Sequence, residues 1–195
     1  MNKELYDEIS MYEAYDEKEQ VDKDVILEYI KNTEDVLTRD NKIAHFTASA
    51  WVTNKERNKI LMIYHNNYDS WAWVGGHADG DSDLLHVACK EVEEETGVSD
   101  LKLLSNGIFG INIVTADSHI KRGKRVNSHL HFDVEYFFEA DEDIELKIKP
   151  DENSGVKWID IDEVCKSSTE VKMIPIYERL IDKMKKEVLW LEKLV

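Results

Sequence analysis

The chain has 195 residues, of which 42% are hydrophobic and 34% charged, and carries a formal net charge of −16 at pH 7. That length and apolar share suit one folded domain with a sizeable core and some additional elements. The negative balance argues against non-specific binding to nucleic acid, whose phosphates need Lys and Arg, and against a membrane-surface role. Two cysteines, Cys89 and Cys165, show neither metal-ligand spacing nor a disulfide framework. With no signal-peptide pattern and no long apolar run, the expectation is a cytoplasmic protein.

Residues 1–40 are acidic and contain neither Gly nor Pro. Val25, Ile26, Tyr29 and Ile30 recur at helical spacing, which predicts one or two helices forming an N-terminal extension. A packing role is the plainer reading of this extension; a share in a homodimer or a substrate lid stays open. A main domain is expected over 41–168 and a packed C-terminal helix over 169–195. His45 to Val52 reads as a first strand, and Lys59 to Tyr64 as a strand buried on both faces. Trp71 to Val74 then leads into a double glycine. Either tryptophan could stack on a nucleobase, although a tryptophan here is more often core.

Gly75 to Val98 reads GGHADGDSDLLHVACKEVEEETGV. A glycine pair opens it, an acidic loop follows, and a helix with four glutamates in five positions ends at Gly97. At about 100° per residue, Glu91, Glu94 and Glu95 fall within one arc, while Glu93 points elsewhere. Three carboxylates on one arc repel one another unless a cation sits among them, and Mg²⁺ prefers such oxygen ligands. Leu85, Cys89 and Val92 form a neighbouring stripe suited to packing on a sheet. The plain alternative is a solvated acidic face, which leaves the glycines and their spacing unexplained. His77 and His86 read as loop and surface residues.

Leu101 to Val114 holds two strand-like pieces around a turn at Ser105-Asn106-Gly107. Lys121-Arg122-Gly123-Lys124-Arg125 is a basic island in an acidic protein. It reads as a solvated loop tip or as a phosphate-contacting loop, with Lys124 and Arg125 the candidate donors. In the strand His129 to Phe138, His129, His131, Asp133 and Glu135 share one face and the apolar residues share the other. The polar face suits solvent, or a cleft in which His129 and His131 meet substrate. A His-x-His transition-metal site is a sharper reading, but sequence supplies no third and fourth ligand for it. Val156 to Ile159 is a strand, Asp160 to Val164 starts a short helix, and Tyr177, Leu180, Ile181, Met184, Val188 and Leu191 predict a terminal amphipathic helix.

The stretch from Gly76 to Val98 resembles the signature box of the Nudix hydrolases. Gly76, Glu91, Val92, Glu94, Glu95, Gly97 and Val98 stand at the family's offsets, while Ser82 replaces a glutamate and Lys90 an arginine. Ser82 could N-cap the box helix, with Asp81 or Asp83 supplying the missing charge. Lys90 keeps a positive charge but lacks the planar fork. The resemblance implies an α/β fold, a mixed sheet between helices. It also implies metal-dependent hydrolysis of a diphosphate linkage in a nucleoside diphosphate derivative. Glu91, Glu94, Glu95 and the Gly75 carbonyl would hold Mg²⁺ or Mn²⁺, and Glu94 or Glu152 would act as general base, with Asp151 the fallback. The partner expected is a small nucleotide-type substrate; nucleic acid and membrane are not expected. Two alternatives remain: a non-hydrolytic nucleotide-binding module, and an isopentenyl-diphosphate isomerase-like enzyme. The second needs a catalytic cysteine that neither Cys89 nor Cys165 is well placed to supply.

Overall fold

A computed structural model of the chain describes residues 2–121 and 123–192, without the side chains of His119, Lys121, Lys124 and residues 188–192. Arg122 and Leu194 therefore lie outside the described residues, as do the side chains of Val188 and Leu191. The fold class is α/β, as expected. The chain divides into two compact units, one of residues 1–50, 75–91 and 105–137, the other of 51–74, 92–104 and 138–195.

In the first unit, helix α1 (Lys3–Met11) is capped by Asn2, whose Oδ1 accepts the Leu5 N–H at 3.2 Å. Asp16 caps α2 (Glu17–Asn32) in the same way through the Glu19 N–H at 2.8 Å. Leu5, Ile9, Ile26 and Ile30 are buried, whereas Val25, expected in the α2 stripe, is exposed. Asp22 on α2 accepts the Ile113 N–H at 2.9 Å, which ties the helix to strand β6 (Gly110–Ala116). Strand β1 (Ala44–Thr53) is buried at every residue and begins in this unit. Strand β6 pairs antiparallel with β9 (His129–Glu139), and the short strands β7 (His119–Lys121) and β8 (Lys124–Val126) form a hairpin.

In the second unit, β2 (Lys59–His65) is the centre of an antiparallel ladder. It pairs with β10 (Asn153–Asp160), with β3 (Ser70–Ala72), and with the end of β1 through Thr53 and Ile60. Its buried run Ile60 to Ile63 explains the unbroken apolar stretch in the sequence. The two-residue strand β5 (Lys102–Leu103) pairs with the end of β9. Helix α4 (Val164–Ser167) is short, and α5 (Ile174–Glu192) places Pro175 in its first turn, where a missing N–H costs nothing. Tyr177, Leu180 and Met184 on α5 are buried, and the Tyr177 ring lies 5.8 Å from that of Trp51.

Strands β1 and β9 run parallel. Leu130 N–H bonds the Ile43 carbonyl at one end, Ala140 N–H bonds the Thr53 carbonyl at the other, and both bonds advance equally along each chain. The sheet is therefore mixed, as expected, with strand order β10-β2-β1-β9-β5.

Candidate active site

The glycine pair lies in strand β4 (Val74–His77), which pairs with β1. A Cβ on Gly75 would stand 2.4 Å from Ser49 Oγ and 2.7 Å from the Ala48 carbonyl oxygen. A Cβ on Gly76 would stand 2.4 Å from the carboxyl carbon of Glu91. The first glycine lets β4 close onto β1, and the second leaves the room that the Glu91 carboxylate fills. After His77 the chain turns through Asp79 and Gly80, both at positive φ. Arg39 holds that turn with a forked pair to Asp79, its Nε donating at 2.7 Å.

The box helix, α3 (Leu84–Thr96), is capped by Asp83 rather than by Ser82. Asp83 Oδ1 accepts the His86 N–H at 2.9 Å, so a carboxylate stands at the positive helix end. Asp81 accepts the Asp83 N–H at 3.0 Å and pairs with the exposed His86 ring at 2.8 Å. That ring contact, with the Asp83 N–H, holds the Asp81 carboxyl below its ordinary value. The core stripe also differs from expectation. Leu84, Val87, Ala88 and Val92 are buried, whereas Leu85 and Cys89 are half-buried.

Along α3, Glu91 is half-buried, Glu93 and Glu94 are exposed, and Glu95 is only 2% exposed. Glu91 and Glu95 stand one turn apart along α3. In the second unit, carboxylate oxygens of Glu95 and Glu152 lie within 4.8 Å of each other. Asn153 beside it donates to the Glu95 carbonyl at 3.0 Å, which fastens this turn to the end of α3.

Glu94 meets a residue that the sequence reading passed over. Lys149 Nζ donates to Glu94 Oε2 at 2.9 Å and lies 2.9 Å from Glu152 Oε2. Burial pulls the Lys149 pKa down, but the two carboxylates push it up by more, and the net shift is upward. The signal was a lysine three residues ahead of Glu152, legible only once Glu94 is known to face it. Asp151 is exposed.

The polar face of β9 is not solvent-exposed. Asp133 and Glu135 are buried. Asp133 Oδ1 accepts hydroxyls from Thr47 at 2.5 Å and Ser49 at 2.9 Å, and Glu135 accepts from Asn112 at 2.6 Å. Burial raises the Asp133 pKa, and the hydrogen bonds oppose that rise. At the start of the same face, His129 Nε2 and His131 Nε2 are 3.0 Å apart. His45 and His77 join them, so that four rings each offer a nitrogen within 4.8 Å of the others. His77 is thus a half-buried strand residue rather than a loop residue. Burial lowers the His45 pKa.

Arg125 is exposed on β8, and Lys124 is placed there without its side chain. Trp71 and Trp73 are both half-buried. Trp71 packs edge-on against Tyr64 and carries Lys157 Nζ 4.2 Å from its ring centre, while Trp73 packs edge-on against Tyr177. Both cysteines are free and half-buried, and burial pushes both thiols up. Such thiols are poor nucleophiles.

No described helix is long and apolar enough to cross a membrane. A sequence model of the NUDIX domain matches residues 44–181. The chain is 27% identical over 139 residues to the RNA pyrophosphohydrolase of Pelagibacter ubique (strain HTCC1062), covering 69% of this chain and 87% of that one. Among solved structures, the E. coli dihydroneopterin triphosphate pyrophosphohydrolase superposes with a TM-score of 0.55 at 14% identity, covering 70% of this chain and 94% of that one. The NUDIX domain of Shewanella oneidensis NrtR, complexed with ADP ribose, gives 0.53 at 19% identity over 83% and 97%. With the NUDIX domain model matching most of its length, this chain belongs to the Nudix family and is a Nudix-type pyrophosphohydrolase.

Proposed function

We propose that the protein hydrolyses a phosphoanhydride bond in a nucleoside diphosphate derivative, with Mg²⁺ or Mn²⁺ held by Glu91, Glu94, Glu95 and the Gly75 carbonyl. The observation that carries this is the Gly76 cradle, which a Cβ would fill and which seats Glu91 one turn from the buried Glu95. A donor set made of carboxylate oxygens suits a hard divalent cation. Such an ion supplies charge neutralisation at the phosphates and lowers the pKa of a bound water.

The chain's own residues do the rest. Water attacks phosphorus, one P–O bond of the anhydride breaks, and two phosphate-bearing products leave. Glu94 or Glu152 takes the proton of the attacking water. Lys149 ion-pairs with both and positions the two carboxylates. Lys124 and Arg125 are our candidates for contact with the substrate's phosphates. The two free cysteines and the acidic composition support a cytoplasmic protein. Val21 and Val25, exposed together on α2, are the surface through which we expect any homodimer to form, a point that light scattering decides.

A second reading takes RNA as the substrate, and the Pelagibacter relative favours it. The net charge of −16 opposes it. The test is formation of the two phosphate-bearing products, separated by chromatography, from a panel of nucleoside diphosphate derivatives and a 5′-triphosphorylated RNA, with Mg²⁺ or Mn²⁺, beside Glu95→Gln. Metal-dependent turnover of a small nucleotide, lost in the variant, supports the proposal. Turnover of the RNA alone moves the substrate to the second reading. Ligand binding without any turnover makes the chain a binding module.

A further inference from the structure

The four histidines come from three separate strands. His45 lies in β1, His77 in β4, and His129 and His131 alternate along β9. Their ring centres stand 4.9 to 5.3 Å apart in five of the pairings. An acidic protein with seven histidines has gathered four of them at one point.

Hydrogen bonding fixes how two of the rings face the cluster. His45 Nδ1 lies 3.0 Å from the Asn41 carbonyl oxygen, and His129 Nδ1 lies 2.9 Å from that of Asn127. A carbonyl only accepts, so each Nδ1 must carry the proton. In the neutral ring Nε2 is then a bare lone pair. His129 turns that lone pair toward His131 Nε2. His45 is 3% exposed, and its buried Nε2 finds no hydrogen-bond partner among the described residues. A backbone carbonyl that fixes the tautomer and orientation of a ring is the usual outer support of a metal-bound histidine.

The spacing agrees with shared coordination. Two nitrogens bound at about 2.0–2.1 Å to one tetrahedral ion stand about 3.3 Å apart. His129 and His131 are at 3.0 Å. Imidazole nitrogens suit Zn²⁺ and its transition-metal neighbours, not Mg²⁺, so the chemistry differs from that of the box carboxylates.

From this we infer that His45, His77, His129 and His131 form a four-nitrogen site for one divalent transition metal of the Zn²⁺ class. The inference does not depend on the proposed hydrolysis. The ion would tie the starts of β1 and β9 to β4, where His77 directly follows Gly76. It assigns His129 and His131, expected from sequence to meet substrate, to metal ligation.

The test uses tag-free, chelator-stripped full-length protein, titrated calorimetrically with Zn²⁺ in excess Mg²⁺. We expect one Zn²⁺ per chain with a sub-micromolar dissociation constant, weakened at least tenfold in His129→Gln and in His131→Gln. Glu91→Gln and Glu95→Gln should bind Zn²⁺ as the parent does. Circular dichroism without metal establishes that each variant is folded. The unaltered protein supplies a second readout, since Co²⁺ in this site should give the intense visible absorption of a four-coordinate nitrogen environment. No stoichiometric Zn²⁺ binding by the folded parent overturns the inference. So does binding that survives both histidine variants, or a weak six-coordinate Co²⁺ spectrum.

Discussion

The box carboxylates and the four histidines are built in opposite ways. Glu91 and Glu95 come from one helix, where local spacing alone sets them one turn apart, and Glu152 meets Glu95 from a single turn of the second unit. The histidines come from three strands that meet only when the sheet is formed. Like charges oppose the first cluster, so it needs a cation; Lys149 already supplies one to Glu94 and Glu152. The second takes its orientation from the Asn41 and Asn127 carbonyls, which hold His45 and His129. Hard oxygens in one place and imidazole nitrogens in the other suit different classes of ion.

The largest effect that separates them is catalytic. Glu95→Gln removes an oxygen donor from a buried position, and hydrolysis should fall by about 100-fold or more, while calorimetric Zn²⁺ binding at the histidines persists. Losing that binding together with hydrolysis would merge the two clusters into one.

Gly76→Ala asks how tightly the first cluster is seated. Its Cβ would meet the Glu91 carboxyl at 2.4 Å, so the acid must move. We expect kcat/KM to drop on the order of 10²-fold, as a misplacement near 1 Å can cost. Unchanged kinetics would remove Glu91 from the site.

Lys149→Ala leaves Glu94 and Glu152 facing each other without their cation. These groups are partly exposed, so the stability loss should be about 1 kcal/mol or less by urea titration. A larger loss would show Lys149 holding more of the fold than these two acids.

The smallest effect is a pH dependence in the N-terminal helices. Burial raises the Glu8 pKa above 4.5, although Tyr136 Oη donates to it at 3.2 Å. A carboxyl raised on folding holds its proton better in the native state, so its contribution falls as pH climbs through 4.5 toward the raised value. Glu8→Gln keeps an acceptor for Tyr136 without the buried charge. Its thermal midpoint should exceed the parent's slightly at pH 7, and the gain should vanish near pH 4. A gain that is constant with pH would rule out charge burial as its cause.

Much of the fold could be read directly from the chain. Strands β1, β2, β9 and β10 lie within a few residues of their expected bounds, because period-two patterns and unbroken apolar runs are local signals. The clustering of Glu91 with Glu95 was legible for the same reason. Three things were not. Asp83 rather than Ser82 caps α3, since either of two adjacent polar residues can start the helix and the sequence cannot rank them. Lys149 reaches Glu94 across a long separation in sequence. His45 and His77 complete the histidine cluster only through strand order, so the His129-x-His131 pattern carried half of the site.

The parallel pairing of β1 with β9 also bears on how the chain is made. Ile43 bonds Leu130, so β1 waits for its neighbour until most of the domain has left the ribosome. At about 5–20 residues per second, that wait is on the order of ten seconds. Throughout it, a ten-residue strand that is buried at every position in the finished protein has no permanent partner on that side. Newly made chains are therefore open to sticking together through residues 44–53, and a chaperone that covers this segment during synthesis should raise the yield of folded enzyme.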